Sequence, residues 1–584
     1  MIDIKYYKWD IDEIKHLKKS ISDIIHINNI QTYMPIMALY FYFHNTPNSH
    51  KIIDFNRRYY IHQITNINKS KEQYYNSNKI LDGIIYDNIN KTSNSKQIFL
   101  KISPILDPIT YIMNNYNIKP ARNQHLPSNY TYNTVSKINS MENSSYIDGF
   151  MSYIGDILDN ENKLPCFAKY YGSLNGIIDN FSHDITEEFH SFKKENWFIS
   201  NIGKTFHIDV YESSEDEFTD DSDDEIDYYD MKCDDVKCYN EKCGVDNPNI
   251  IVNKIKNEDE DFNEDINEDL NKDISEDFNK DINEDFNEDI NEDEDFKDIN
   301  EVTGLMDKYI NIIEKSHSSY STDNSSDNSS DNSSDNSSCM SNRDYIVNIK
   351  KFPVQMIFME KLEGTMEDLL EEDVFSEPLI KSIMFQIIFS LAYLQKHFKF
   401  THNDLHINNV MYTTTDKKFL YYKQNNTYYR IPTYGKIAKI IDFGRAIFTI
   451  KNKVFFNDVF SKYGEAEGQY TYPINYINYD IEKKKYKEKH NPNYSFDLCR
   501  LATTMIEYVE DNDTNKKLYN LLNRIATDSH GENLNEYEDS FNLYIKIAHD
   551  ANKGIPKDLI GNKYFKDYRI KKKNILKTSK MYSL

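Results

Sequence analysis

Between about residues 212 and 345 this chain cannot build a core. Residues 212–310 hold 38 Asp and Glu against 9 Lys and Arg, a local balance of −29 in a chain whose total is −26, so the remainder is close to neutral. From 262 to 290 the sequence FNEDINEDLNKDISEDFNKDINEDFNEDI puts an apolar residue at every fourth position. A period of 4 drifts by roughly 40° per repeat around a helix, and like charges four residues apart repel, so a solitary helix is not expected. The tract STDNSSDNSSDNSSDNSS at 321–338 has no apolar residue and nothing to bury against the entropy of ordering. Residues 212–344 therefore read as a disordered acidic and Ser/Asn-rich insertion, either a solvated spacer or a surface for basic partners.

Outside it, there is material for real cores: the 584 residues are 39% hydrophobic and 14% aromatic. Six cysteines do not make a disulfide scaffold, and the start MIDIKYYKWD lacks the basic and apolar regions of a secretory signal. The longest markedly apolar run, MPIMALYFYF at 34–43, is about half the roughly 20 residues a membrane-spanning helix needs. The reading is a cytoplasmic protein of a reducing compartment, with no membrane and no nucleic-acid partner expected. Cys233, Cys238 and Cys243 are evenly spaced but lack a fourth ligand at zinc-site spacing, and they read as incidental thiols.

The folded-looking segments carry distinct periods. KQIFLKIS at 96–103 alternates like a strand, and NSSYIDGFMSYIGDIL at 143–158 reads as a helix followed by a strand near LPCFAKYYGSL at 164–174. After the acidic tract, PVQMIFME is β-rich and ends at a Gly, and Thr365 to Asp368 looks like a helix N-cap with acids in its first turn. Ile380, Ile383, Met384, Ile387, Ile388, Leu391 and Leu394 then recur at helical spacing with a buried face. That helix delivers the chain to THNDLHINNV at 401–410. Farther on, AKIIDFGRAIF at 438–448 is an apolar strand ending in Asp442-Phe443-Gly444.

These motifs in this order resemble the protein kinases. His402, Asp404 and Asn409 match their H-R-D-x-x-x-x-N loop and Asp442-Phe443-Gly444 their D-F-G, while YSFDLCRLATTMIE at 494–507 resembles the helix whose buried acid, here Asp497, holds the loop backbone. The resemblance implies an α+β, two-lobed kinase-like fold and transfer of the ATP γ-phosphate to Ser/Thr hydroxyls of protein substrates, with ATP and Mg²⁺ as cofactors. Asp404 would accept the hydroxyl proton, and Asn409 and Asp442 would offer hard oxygen ligands to Mg²⁺. Lys101 is the candidate clamp on the α/β-phosphates, paired with Asp148 or Glu142. Met359 to Leu362 would be the adenine-contacting hinge. His406 stands where Ser/Thr kinases have Lys, as in haspin and the aminoglycoside phosphotransferases, and nearby phosphate and Asp404 are expected to raise its pKa.

The pattern also departs from the family. No G-x-G-x-x-G precedes Lys101, only Gly83 in LDGIIYDN; Asn403 replaces the usual Arg; no A-P-E follows D-F-G; and a hairpin-like insert precedes PTYGKIAKIIDFG, similar to divergent kinases of giant DNA viruses. The implied organisation is an N-terminal extension at 1–75, an N-terminal lobe at 76–211 and 345–362, the insertion at 212–344, a C-terminal lobe at 363–560, and a basic tail at 561–584. Two other readings remain. A small-molecule phosphotransferase of aminoglycoside or choline type also uses H-x-D-x-x-x-x-N, and a catalytically dead fold could display the acidic tract to basic partners.

Overall fold

Asp10 opens the first helix by accepting from the backbone N–H groups of Asp12 and Glu13, and Ile14, Leu17, Ile21 and Ile25 form one buried stripe along α1 (Ile11–Ile25). The computed structural model describes the chain apart from residues 1, 43–48, 69–77, 117–124, 129–134, 213–249, 254–342, 372–373, 462–463, 472–478, 481–484, 487–489, 510–514, 538–539 and 576–579. The acidic tract and the cysteines 233, 238 and 243 lie outside the described residues, as does nearly all of the insertion expected at 212–344.

The fold is mixed α+β. Strands β1 (Ile27–Gln31), β2 (Tyr59–Asn68), β3 (Lys79–Asp87) and β4 (Thr92–Pro104) are followed by helix α2 (Ser144–Asn160), β5 (Tyr170–Asp184) and β6 (Arg343–Glu360). These six strands belong to one eight-stranded sheet and run in the order β1-β5-β6-β4-β3-β2. Neighbours along this path are antiparallel, with Ile357 of β6 opposite Lys101 of β4. Helix α2 lies close to the segment entering β5 because Gly155 has no side chain: a Cβ there would sit 2.4 Å from the Phe167 ring.

Helix α3 (Glu377–Phe398) follows, buried along most of its length. Among the described helices it is long and apolar enough to cross a membrane, but 83% of its apolar window lies inside the fold, as in a core helix. Strand β7 (Val410–Thr414) pairs with β10 (Lys436–Ile440), and between them β8 (Phe419–Gln424) and β9 (Thr427–Pro432) form the expected hairpin. Helices α4 (Phe496–Ile506), α5 (Lys516–Ala526) and α6 (Ser540–Asp550) complete the C-terminal part.

The chain divides into two compact units, one of residues 1–185, 196–208 and 346–584, the other of 186–195 and 209–345. In the second, Phe189 stacks on Tyr345 with ring centroids 3.7 Å apart. All the residues of the candidate site belong to the first.

Three boundaries differ from the sequence reading. Residues 1–75, expected to be an extension outside the first folded part, supply β1 and β2 of the same sheet as β3 to β6. The alternation of β2 is hidden by two register shifts, at Ile61/Gln63 and Ile64/Asn66, which place buried Tyr60, Ile61 and Ile64 out of period two. The tail at 561–584 is also woven in: Met581–Ser583 pairs in parallel with β8, Arg569–Ile570 pairs with β9, and Tyr582 is buried. Finally, the cap at Thr365 forms both reciprocal bonds with Asp368, 2.7 and 3.2 Å, but only a turn follows and no helix.

Candidate active site

Lys101 projects from β4 between two carboxylates. Its Nζ lies 2.7 Å from Asp148 Oδ2 and 2.9 Å from Asp442 Oδ1. Burial alone would lower the lysine's pKa, but Asp148 and Asp442 outweigh it and hold the ammonium above its ordinary range. Asp148 sits on α2 with its side chain 4% exposed, and its other oxygen accepts from the backbone N–H of Phe443 at 3.0 Å. Burial pushes its carboxyl upward against the pull of Lys101. The choice between the two acids is thereby made by geometry: Glu142 precedes α2, and its carbonyl accepts from Asp458 N instead.

Asp442 stands just past β10 with φ 61, a left-handed conformation that a non-glycine residue rarely adopts. Burial would raise its carboxyl, but Lys101 wins and holds it down at about 2. Strand β10 is placed by the segment before β5, since Ile440 N donates to Cys166 O at 2.8 Å and Phe167 bridges to Ile440. Phe443 then packs on the rings of Phe167 and His402, with centroids 5.8 and 5.5 Å away.

The loop after α3 hangs from one buried acid. Asp497, on α4, accepts the backbone N–H of His402 and of Asn403, each at 3.0 Å, as the sequence resemblance implied. His402 is fully buried and its Nε2 meets Ile441 O at 2.9 Å. Asn403 adopts φ 65 and carries no charge where the Arg was expected. Its amide instead donates to Arg445 O at 2.9 Å, and its Oδ1 accepts from Tyr470 OH at 3.0 Å. Asn409 Nδ2 donates to Asp404 O at 2.8 Å, tying the two ends of the loop together.

His406 contradicts one expectation. Its Nδ1 faces the Asn408 backbone N–H at 3.3 Å and its Nε2 the Asn409 amide nitrogen at 3.0 Å. An imidazolium would present N–H donors to both. Burial, the largest influence, outweighs Asp404 and pushes the pKa below its ordinary value, not above it.

At the candidate hinge, Met359 pairs with Phe99 and Tyr170, and Glu360 N donates to Lys169 O at 2.9 Å. Residues Lys361 to Glu363 leave the ladder, and Leu362 is buried. Met359 also lines a small cavity with Phe167, Ala168, Ile440 and Phe443, so the hinge and the Asp442 turn share one apolar wall. Gly83, the glycine singled out near the phosphate position, is instead inside β3 against Ile61 and Ile98. One site residue escaped the sequence reading. Tyr544, on α6, donates its hydroxyl to Asp404 Oδ1 at 2.7 Å, and the two lie 140 residues apart with no local pattern joining them.

No family profile matches the chain. A 103-residue stretch is 37% identical to a chain named as a serine/threonine-protein kinase of Dictyostelium discoideum, covering 16% of this chain and 8% of that one. A 137-residue stretch is 34% identical to a chain so named from Acanthamoeba polyphaga mimivirus, covering 20% of this chain and 33% of the relative. The chain thus spans a third or less of these curated relatives, and over that part it is similar to proteins named as kinases.

Proposed function

We propose that this chain is a two-lobed protein kinase that transfers the γ-phosphate of Mg·ATP to Ser/Thr hydroxyls of protein substrates. The observation that carries the reading is the meeting of Lys101, Asp148 and Asp442 from three separated segments, alongside a loop carrying Asp404 and Asn409 that Asp497 suspends. The strand order β2-β3-β4-β6-β5 with α2 supports an N-terminal lobe that starts earlier than residue 76. The mixed C-terminal part from 363 onward supports the second lobe.

Phosphoryl transfer has a loose transition state, so catalysis is mostly positioning and neutralisation of charge. Lys101 would hold the α/β-phosphates, oriented by Asp148. The donor set suits Mg²⁺: Lys101 and Gly444 N both contact Asp442 Oδ1, leaving Oδ2 for a cation, and Asn409, tied by its Nδ2, has its Oδ1 to offer. Bound Mg²⁺ supplies positive charge to the phosphates. Asp404 would take the proton of the attacking hydroxyl, and Met359 and Leu362 would contact the adenine. The −29 tract is proposed to draw basic substrates, which salt should weaken.

Incubation of the purified chain with labelled Mg·ATP, a mixed protein substrate and a panel of amino alcohols tests the reading. Label should enter protein and be lost in Asp404→Asn and Asp442→Asn. Transfer to amino alcohols alone would point to a small-molecule phosphotransferase, and no Asp404-dependent transfer would refute the enzyme. The dead-fold alternative draws its support from the β2–β3 connection, whose sequence KSKEQYYNSN at 69–78 contains no glycine to approach phosphates.

A further inference from the structure

A general base has to lie within about 2.6–3.2 Å of the oxygen whose proton it takes. Tyr544 already fills that requirement at Asp404, with its phenol oxygen 2.7 Å from Oδ1. The ring is firmly seated. The guanidinium carbons of Arg500 and Arg445 lie 5.1 and 5.8 Å from its centroid, and Phe496 packs at 5.9 Å. Arg445 directly follows Asp442-Phe443-Gly444, and its guanidinium also pairs with Glu465. Burial, with Asp404 beside it, raises the phenol's pKa, so the group remains an O–H donor at neutral pH.

We propose that Tyr544 is a built-in gate on the acceptor site: its hydroxyl occupies the place of the substrate hydroxyl on Asp404, and substrate engages Asp404 only when that hydroxyl gives way. The gate rests on the kinase reading. It is linked to the segment after Gly444 because Arg445 clamps the same ring, so a change at Arg445 or Glu465 loosens Tyr544. A tyrosine that merely orients Asp404 would have the opposite effect when removed, a loss of rate.

The test compares wild type, Tyr544→Phe and Tyr544→Ala with Mg·ATP and a mixed basic protein as acceptor, and measures ATP hydrolysis without acceptor. Tyr544→Phe keeps the ring and the packing and removes only the competing O–H. A hydrogen bond to a charged group sets the expected gain at about tenfold in kcat/KM for the acceptor. KM for ATP should be unchanged and hydrolysis faster, because water then reaches Asp404. Tyr544→Ala should do the same, and if it does not fold, Tyr544→Phe decides alone. Wild-type transfer with no gain, or a loss, in Tyr544→Phe overturns the gate and leaves the kinase reading intact. Absence of transfer and hydrolysis in every form overturns both.

Discussion

Replacing Lys101 by Met separates what the ion cluster does for stability from what it does for chemistry. The substitution conserves much of the side-chain volume and leaves Asp148, 4% exposed, with the Phe443 N–H but no cation. Breaking a buried pair costs about 3–5 kcal/mol when the remaining charge stays ionised. Asp148 has an escape, because it can take up a proton. Its pKa lies near 4 in the unfolded chain, so protonation in the folded state costs about 1.4 kcal/mol per pH unit above that. The penalty is therefore capped at about 2 kcal/mol at pH 5.5, whereas at pH 8 the cap exceeds the pair-breaking cost and the full 3–5 kcal/mol is expressed. The sign follows from a folded pKa raised above the unfolded one: stability is present at low pH and lost as pH rises through the folded value. Asp442, 43% exposed, is screened by water and adds little. Urea denaturation of wild type and Lys101→Met at pH 5.5 and 8.0 measures the difference. Adding Asp148→Asn, whose side-chain oxygen can still accept from Phe443 N, should restore most of the pH 8 loss while phosphoryl transfer stays abolished. Equal destabilisation at both pH values, or no rescue by Asp148→Asn, would refute the account of Asp148 as a buried charge held by Lys101.

Asp497→Ala leaves the N–H groups of His402 and Asn403 buried without their acceptor, so it should cost about 2–4 kcal/mol in urea denaturation and lower kcat more than KM for ATP. Because His406 is held neutral by burial, kcat/KM for wild type and His406→Lys should run parallel from about pH 7 to 9; a wild-type decline that the Lys variant lacks would restore the charged role. Asp156 is buried, with its carboxyl raised to about 7 by desolvation. It therefore stabilises the fold below pH 4 and loses that contribution as pH rises towards 7, so Asp156→Asn should raise Tm by about 2 °C or more at pH 8 and by less at pH 5.

What could be read from sequence was what repeats locally. The apolar spacing from Ile380 to Leu394 identified α3, the alternation around Lys101 identified β4, and the fixed offsets of His402, Asp404 and Asn409 marked a loop that the fold does hang from Asp497. What could not be read depends on register or on distant partners. Strand β2 hid behind two bulges, and the C-terminal segment offered a single buried Tyr582 among lysines. Asp148 lies in the second turn of α2 and Glu142 just before its cap, six residues apart, and no periodicity says which of them faces Lys101. At His406, sequence proximity shows Asp404 but not the burial that outweighs it.

The Asp148 carboxylate on α2 ties separate segments together. One oxygen takes Lys101 from β4 and the other takes Phe443 N from the turn after β10. A displacement of α2 by a single turn, about 5.4 Å, would break both bonds together and release Lys101 and the Asp442 turn in the same event. Gly155 sets how closely that helix can approach, since it touches Phe167, and Phe167 in turn touches Phe443. Helix α2 thus reaches Phe443 by two routes, through the Asp148 carboxylate and through Phe167 against Gly155. The geometry of Asp442 consequently depends on the packing of α2 as well as on its own turn, and segments 47 and 295 residues away from Asp148 along the chain meet beside it.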